Sequence, residues 1–136
     1  MGFDPASDYP LGSRRPDLVR TPSGLALDEL TLDAARAGEF GPQELRATPE
    51  TLRRQSAVAL AAGRTQLADN LARAAELADV PGETILEIYT ALRPRRSSKA
   101  ELSDWAERLE SWSAPRTAEF VREAARVYAE RGLLAG

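Results

Sequence analysis

The chain has 136 residues, enough for one modest core and too few to favour two, and its 18 basic against 21 acidic residues leave a net charge of -3. It contains neither cysteine nor histidine, which excludes thiolate nucleophiles, disulfides, imidazole bases and Cys/His metal sites together. No window approaches the roughly 18 apolar residues needed to span a bilayer, and no basic stretch leads into an apolar one at the N-terminus. A cytoplasmic chain that engages no membrane is expected.

Pro5, Pro10, Pro16 and Pro22, with Gly2, Gly12 and Gly24, deny residues 1-24 a continuous helix or a central strand. That segment reads as an extended Pro/Gly-rich arm, either disordered or lying along a surface through the apolar points Phe3, Tyr9, Leu11, Leu18 and Val19. Residues 25-136 read as a single helical domain. Thr31 caps a short helix from Leu32 to Ala37 that Gly38 would end in a left-handed conformation, and Gly41-Pro42 opens another short turn. Thr48-Pro49 pairs an N-cap with a first-turn proline, and the alanine-rich run to Ala62 sustains a helix as far as Gly63.

From Arg64, the positions Leu67, Leu71, Ala74, Ala75 and Ala78 share one helical face, which ends ahead of Pro81-Gly82. Ile85, Ile88, Tyr89 and Leu92 form another stripe, closed at Arg93-Pro94 because a residue before proline is pushed out of the helical region. Ser98-Lys99-Ala100-Glu101 is a capping box, followed by the apolar face Leu102, Trp105, Ala106, Leu109 and Trp112. A last helix from about Pro115 to Arg131 presents Phe120, Val121, Ala124 and Tyr128, with Gly132 as its stop. No segment alternates like a strand. The fold class expected is all-α, a compact multi-helix array preceded by the arm.

Carboxylates are the only abundant acid/base groups. Glu76 with Asp79, or Glu83 with Glu87, share a helix face and could do acid/base work if burial raised one pKa; nothing flanking them suggests burial, so a solvated face is the preferred reading. Arg93, Arg95, Arg96 and Lys99 form the densest basic cluster, in a loop between two helices. It could grip phosphates, but no aromatic is interleaved for base stacking and the chain is acidic, so a protein contact fits better, with a plain solvated loop as the remaining reading. Gly38 and Gly41 belong to no phosphate-binding motif, and Trp105, Trp112, Phe120 and Tyr128 read as packing before any ligand box. No catalytic, cofactor-binding or metal-binding residue is assigned.

Several strings are too long and particular to be helix grammar alone. Ser7-Asp8-Tyr9-Pro10-Leu11, Thr48-Pro49-Glu50-Thr51-Leu52-Arg53, Arg73-Ala74-Ala75-Glu76-Leu77, Ile85-Leu86-Glu87-Ile88-Tyr89-Thr90-Ala91-Leu92-Arg93-Pro94 with Arg96-Ser97, and Phe120-Val121-Arg122-Glu123-Ala124 occur in that order. Together they resemble the small subunit of the coenzyme B12-dependent diol and glycerol dehydratases, over Ser7 to about Leu133.

The resemblance implies a heterotrimer of large, medium and small subunits, paired into a dimer, that converts a 1,2-diol or glycerol to an aldehyde and water. Adenosylcobalamin supplies the radical and lies between the large and medium subunits; this chain binds no cofactor by itself. Substrate and essential metal belong to the large subunit, and the small subunit packs on it. Tyr9, Pro10, Arg46, Arg93 and Arg96 are the interface residues expected from motif position and chemistry. Some diol dehydratase small subunits carry a long extension before the Asp-Tyr-Pro string, whereas here only a few residues precede it, as in the glycerol dehydratases; packaging into a bacterial microcompartment is not indicated by this chain. The competing expectation is a stand-alone helical adaptor, or a nucleic-acid binder using the loop Arg93 to Lys99.

Overall fold

The computed structural model describes residues 2-136 and divides into two compact units, Met1–Ala78 and Asp79–Gly136. Among the described residues there are seven α-helices: α1 Leu11–Arg14, α2 Leu32–Arg36, α3 Pro49–Ala61 and α4 Thr65–Leu77 in the N-terminal unit, then α5 Gly82–Ala91, α6 Lys99–Ser111 and α7 Pro115–Arg131 in the C-terminal one. Three 3₁₀ turns, Pro16–Leu18, Leu27–Glu29 and Pro42–Leu45, complete the set. The fold class is all-α as expected: among the described residues the only β feature is an isolated antiparallel bridge between Arg20 and Ala26.

The N-terminal unit is built around the α3/α4 hairpin. Thr48 Oγ1 accepts the Thr51 N–H at 3.2 Å and Pro49 needs no donor in the first turn, so α3 starts where the sequence places its cap. Gly63, at φ 76, turns the chain between the helices, and the Arg64 N–H closes the turn on the Ala59 carbonyl at 2.8 Å. Ala59, Ala68 and Ala75 are buried, and their small side chains let the helices approach closely enough for Ser56 Oγ to donate to the Ala68 carbonyl at 2.7 Å. The turn after α2 likewise runs through Gly38 at φ 73.

Within residues 2-24 the chain makes no long helix but folds into short turns held by polar contacts. Arg15 is their hub: its guanidinium reaches Asp8 at 3.0 Å, Asp17 at 2.9 Å and the Gly2 carbonyl at 3.1 Å. Arg54 of α3 donates to the Leu18 carbonyl at 3.0 Å, and Ser23 donates to Glu44 at 2.6 Å, fastening the segment to the rest of its unit.

The C-terminal unit centres on the α6/α7 hairpin. Leu102, Ala106 and Leu109 from α6 and Ala118 and Val121 from α7 are essentially inaccessible, and Ile88 of α5 is also buried. Ser98 Oγ accepts the Glu101 N–H at 3.1 Å while Glu101 accepts the Ser98 N–H at 2.7 Å, so the capping box read in the sequence is formed. Gly132 ends α7 at φ 66 in the left-handed conformation.

The aromatic residues depart from the expected packing. Trp105 and Trp112 are half-buried, Tyr128 is half-buried, and Phe120 remains 45% exposed. The stripe Leu102, Ala106, Leu109 points inward, which leaves the neighbouring stripe Trp105, Arg108, Trp112 at its edge. There the Arg108 guanidinium lies 4.0 Å from the Trp105 ring centre and 5.6 Å from that of Trp112, a cation held against two π faces. Tyr89 departs in the same way: Ile88 takes the inward position of α5 and Tyr89 is 57% exposed.

Candidate subunit interface

The surface of each unit carries apolar and cationic groups that the unit itself does not use. In the N-terminal unit, Tyr9 is 62% exposed and stands at a groove of about 420 Å³ lined further by Gln55, Val58, Ala62, Leu67 and Leu71. Pro10, joined to Tyr9 by a cis peptide bond, is exposed beside it. Arg46 is exposed where the Pro42–Leu45 turn ends, and no ion pair joins it to another described residue.

In the C-terminal unit, α5 turns Leu86 and Tyr89 to solvent while burying Ile88. Leu86 also borders a groove of about 420 Å³ whose other walls are Glu87, Thr90, Arg96, Ser97, Glu101 and Trp105. Arg93, Arg95, Arg96 and Lys99 are exposed around the loop that follows α5. The structure thus brings Arg93 and Arg96 onto one loop.

That loop is anchored at several points. The Tyr128 hydroxyl donates to the Leu92 carbonyl at 2.6 Å, and the buried Ser97 hydroxyl donates to the Ala91 carbonyl at 2.8 Å. From the C-terminal tail, the Leu133 carbonyl accepts the Arg95 N–H at 2.7 Å and the Ala135 N–H donates to the Ser97 carbonyl at 2.9 Å. Arg95 itself sits at φ 66, a conformation uncommon for a residue with a Cβ.

The acidic residues offer no comparable constellation. Glu83 and Glu87 are exposed to solvent, as is Asp79. The carboxyl groups whose pKa departs from the ordinary range are all pushed down: Asp4 by the Ser7 hydroxyl, Asp17 by the Arg15 guanidinium, Glu44 by the Ser23 hydroxyl and Glu110 by Arg122. A general acid at neutral pH requires the opposite shift. Among the described residues no group of three or more acidic side chains is placed to hold a metal, and no helix is long and apolar enough to cross a membrane.

The model of the dehydratase small subunit family matches residues 5–135. The chain belongs to the dehydratase small-subunit family. The propanediol dehydratase small subunit of Salmonella typhimurium is 50% identical over 131 residues, which covers 96% of this chain and 76% of that protein. The counterpart from Citrobacter freundii is 49% identical over the same coverage. In a dehydratase small subunit, exposed apolar side chains and cations are candidate contacts with other subunits. Leu86 and Tyr89 were missed as such by helical periodicity, which assigns apolar residues to a core; the surplus of apolar positions around α5, all within Ile85-Leu86-Glu87-Ile88-Tyr89, is the signal that more than one face is apolar.

Proposed function

We propose that this chain is the non-catalytic small subunit of an adenosylcobalamin-dependent dehydratase that converts propanediol or glycerol to an aldehyde and water. It stabilises the large catalytic subunit within a dimer of heterotrimers containing large, medium and small chains. The observation that carries this reading is the 50% identity to a propanediol dehydratase small subunit across 96% of the chain. The surface chemistry supports it, since Tyr9, Pro10, Arg46, Arg93 and Arg96 are all exposed and so accessible to a partner.

The residues of this chain do not fit a resident cobalamin. It has no histidine or cysteine to offer cobalt, and its shifted carboxyl groups are engaged with hydroxyl or guanidinium partners. On the family resemblance, cofactor and substrate are assigned to the large and medium subunits, and this chain contributes binding surface in a cytoplasmic complex. Co-expression with tagged large and medium subunits tests the assignment: all three chains should elute together in fixed ratio. Elution of a stable large–medium complex that leaves this chain behind would refute it.

A further inference from the structure

We propose that Arg93, Arg95 and Arg96, together with the outward face of α5, form a preset docking element for a carboxylate-bearing surface of the dehydratase's large subunit, and that the C-terminal tail sets its geometry. The proposal rests on the small-subunit reading above and goes further by naming the surface, the chemistry of its counterpart and the segment that positions it.

Several arginines elsewhere find partners: Arg15 holds Asp8 and Asp17, Arg122 holds Glu110 at 2.8 Å, Arg126 reaches Glu123 and Glu130, and Arg108 lies on two tryptophans, whereas Arg46 has no ion pair with another described residue. No ion pair or side-chain hydrogen bond joins Arg93, Arg95 or Arg96 to another described residue, although Glu87 and Glu101 line the same groove as Arg96. The backbone beneath these side chains is the reverse. Hydrogen bonds involving Tyr128, Ser97, Leu133 and Ala135 hold it, and Arg95 takes a left-handed conformation uncommon for a residue with a Cβ.

Free guanidinium groups on fixed backbone are preorganised, so little main-chain order remains to be imposed when a partner arrives. Their planar forks suit carboxylates, to which they can donate two parallel hydrogen bonds. The adjoining α5 face supplies an apolar centre, because Leu86 is 67% and Tyr89 57% exposed. An apolar and aromatic centre bordered by arginines has the composition of a protein interface. Nucleic acid fits less well, since the loop itself carries no aromatic to stack on bases and the chain is net acidic.

The test immobilises the large–medium complex and titrates it with the full chain and its variants at low and physiological salt, with circular dichroism confirming that each variant is folded. Substituting Arg93, Arg95 and Arg96 together by alanine is expected to weaken binding about thirtyfold or more and to flatten its salt dependence. Leu86→Ala with Tyr89→Ala weakens binding without changing the salt dependence. Ala135→Pro removes the tail's N–H donor and restricts the tail backbone, and weakens binding about fivefold through loss of loop order.

Unchanged affinity of the triple-arginine variant, with the wild type still captured, overturns the docking element while the small-subunit reading stands. Failure to capture the wild type overturns that reading and the proposal with it. Two further outcomes also overturn the proposal: arginine-dependent binding to duplex DNA with undiminished capture by the large–medium complex, or arginine-dependent self-association of the chain in its place.

Discussion

Replacing Leu109 by alanine tests whether the α6/α7 hairpin is held together as described. Leu109 is 0% exposed, and apart from Leu102 the other buried apolar residues of the hairpin, Ala106, Ala114, Ala118, Val121 and Ala125, are alanine or valine. Truncation removes the transfer free energy of the lost side-chain atoms and leaves a void. Alanines have no rotamers with which to fill it, so the cost belongs in the upper half of the usual range for a buried leucine, about 4 kcal/mol. The same substitution at Leu86, 67% exposed on α5, is expected to cost under about 0.5 kcal/mol in the isolated chain. Leu109→Met, which conserves volume, should cost less than about 1.5 kcal/mol. Urea unfolding followed by far-ultraviolet circular dichroism measures all three. A loss below about 1.5 kcal/mol for Leu109→Ala, or equal losses at Leu109 and Leu86, would refute the assignment of the core.

Three further outcomes are expected. Ser98→Ala breaks the reciprocal capping of α6 and should destabilise the chain by about 1 kcal/mol in the same urea assay, with Ser98→Asp recovering most of it. Gly63→Ala places a Cβ where nothing lies within 4 Å but at φ 76, so its cost of about 1 kcal/mol is backbone strain alone, visible as a lower midpoint at unchanged slope. The acid limb of stability follows from the carboxyl groups: Glu110 lies below its ordinary value of 4.5 because Arg122 donates a hydrogen bond to it and adds a favourable charge interaction. A depressed folded-state pKa contributes stability above the unfolded value that is lost as pH falls through the folded one. The melting temperature should therefore drop below about pH 4.5, and Glu110→Gln should make that drop shallower when melting is scanned against pH.

Where a structural choice is local, the sequence announced it. Thr31, Thr48-Pro49 and the Ser98 to Glu101 box cap their helices as read, and Gly38, Gly63 and Gly132 take left-handed conformations where the helices stop. The all-α class follows from these signals and from helical periodicity. What depends on contacts distant in sequence was not legible. The turns of residues 2-24 are secured by Arg15 and by Arg54 reaching back to Leu18, and no short-range pattern marks either pairing. Arg95 at φ 66 is equally silent in the sequence, since the tail residues that hold it lie far along the chain.

The candidate interface was partly legible for a related reason. Arg93 and Arg96 stood out as a charge cluster, but their freedom from internal partners is a property of the folded surface. Trp105, Trp112 and Tyr89 were assigned inward because periodicity counts apolar residues without weighing which of two adjacent stripes is smaller. Leu102, Ala106 and Leu109 permit close helix contact, and the bulky aromatics are left at the margin, where Arg108 covers two of them.

The central claim is that this chain belongs to a catalytic complex without performing its chemistry. It is tested most directly by assaying aldehyde formation from propanediol and glycerol, with adenosylcobalamin supplied, for the three chains together, for the large and medium chains without this one, and for this chain alone. The account predicts sustained activity of the three-chain complex, weak or short-lived activity without the small subunit, and none from the small subunit by itself. Aldehyde formation by the isolated chain, or a large–medium pair as active and as durable as the full complex, would contradict it.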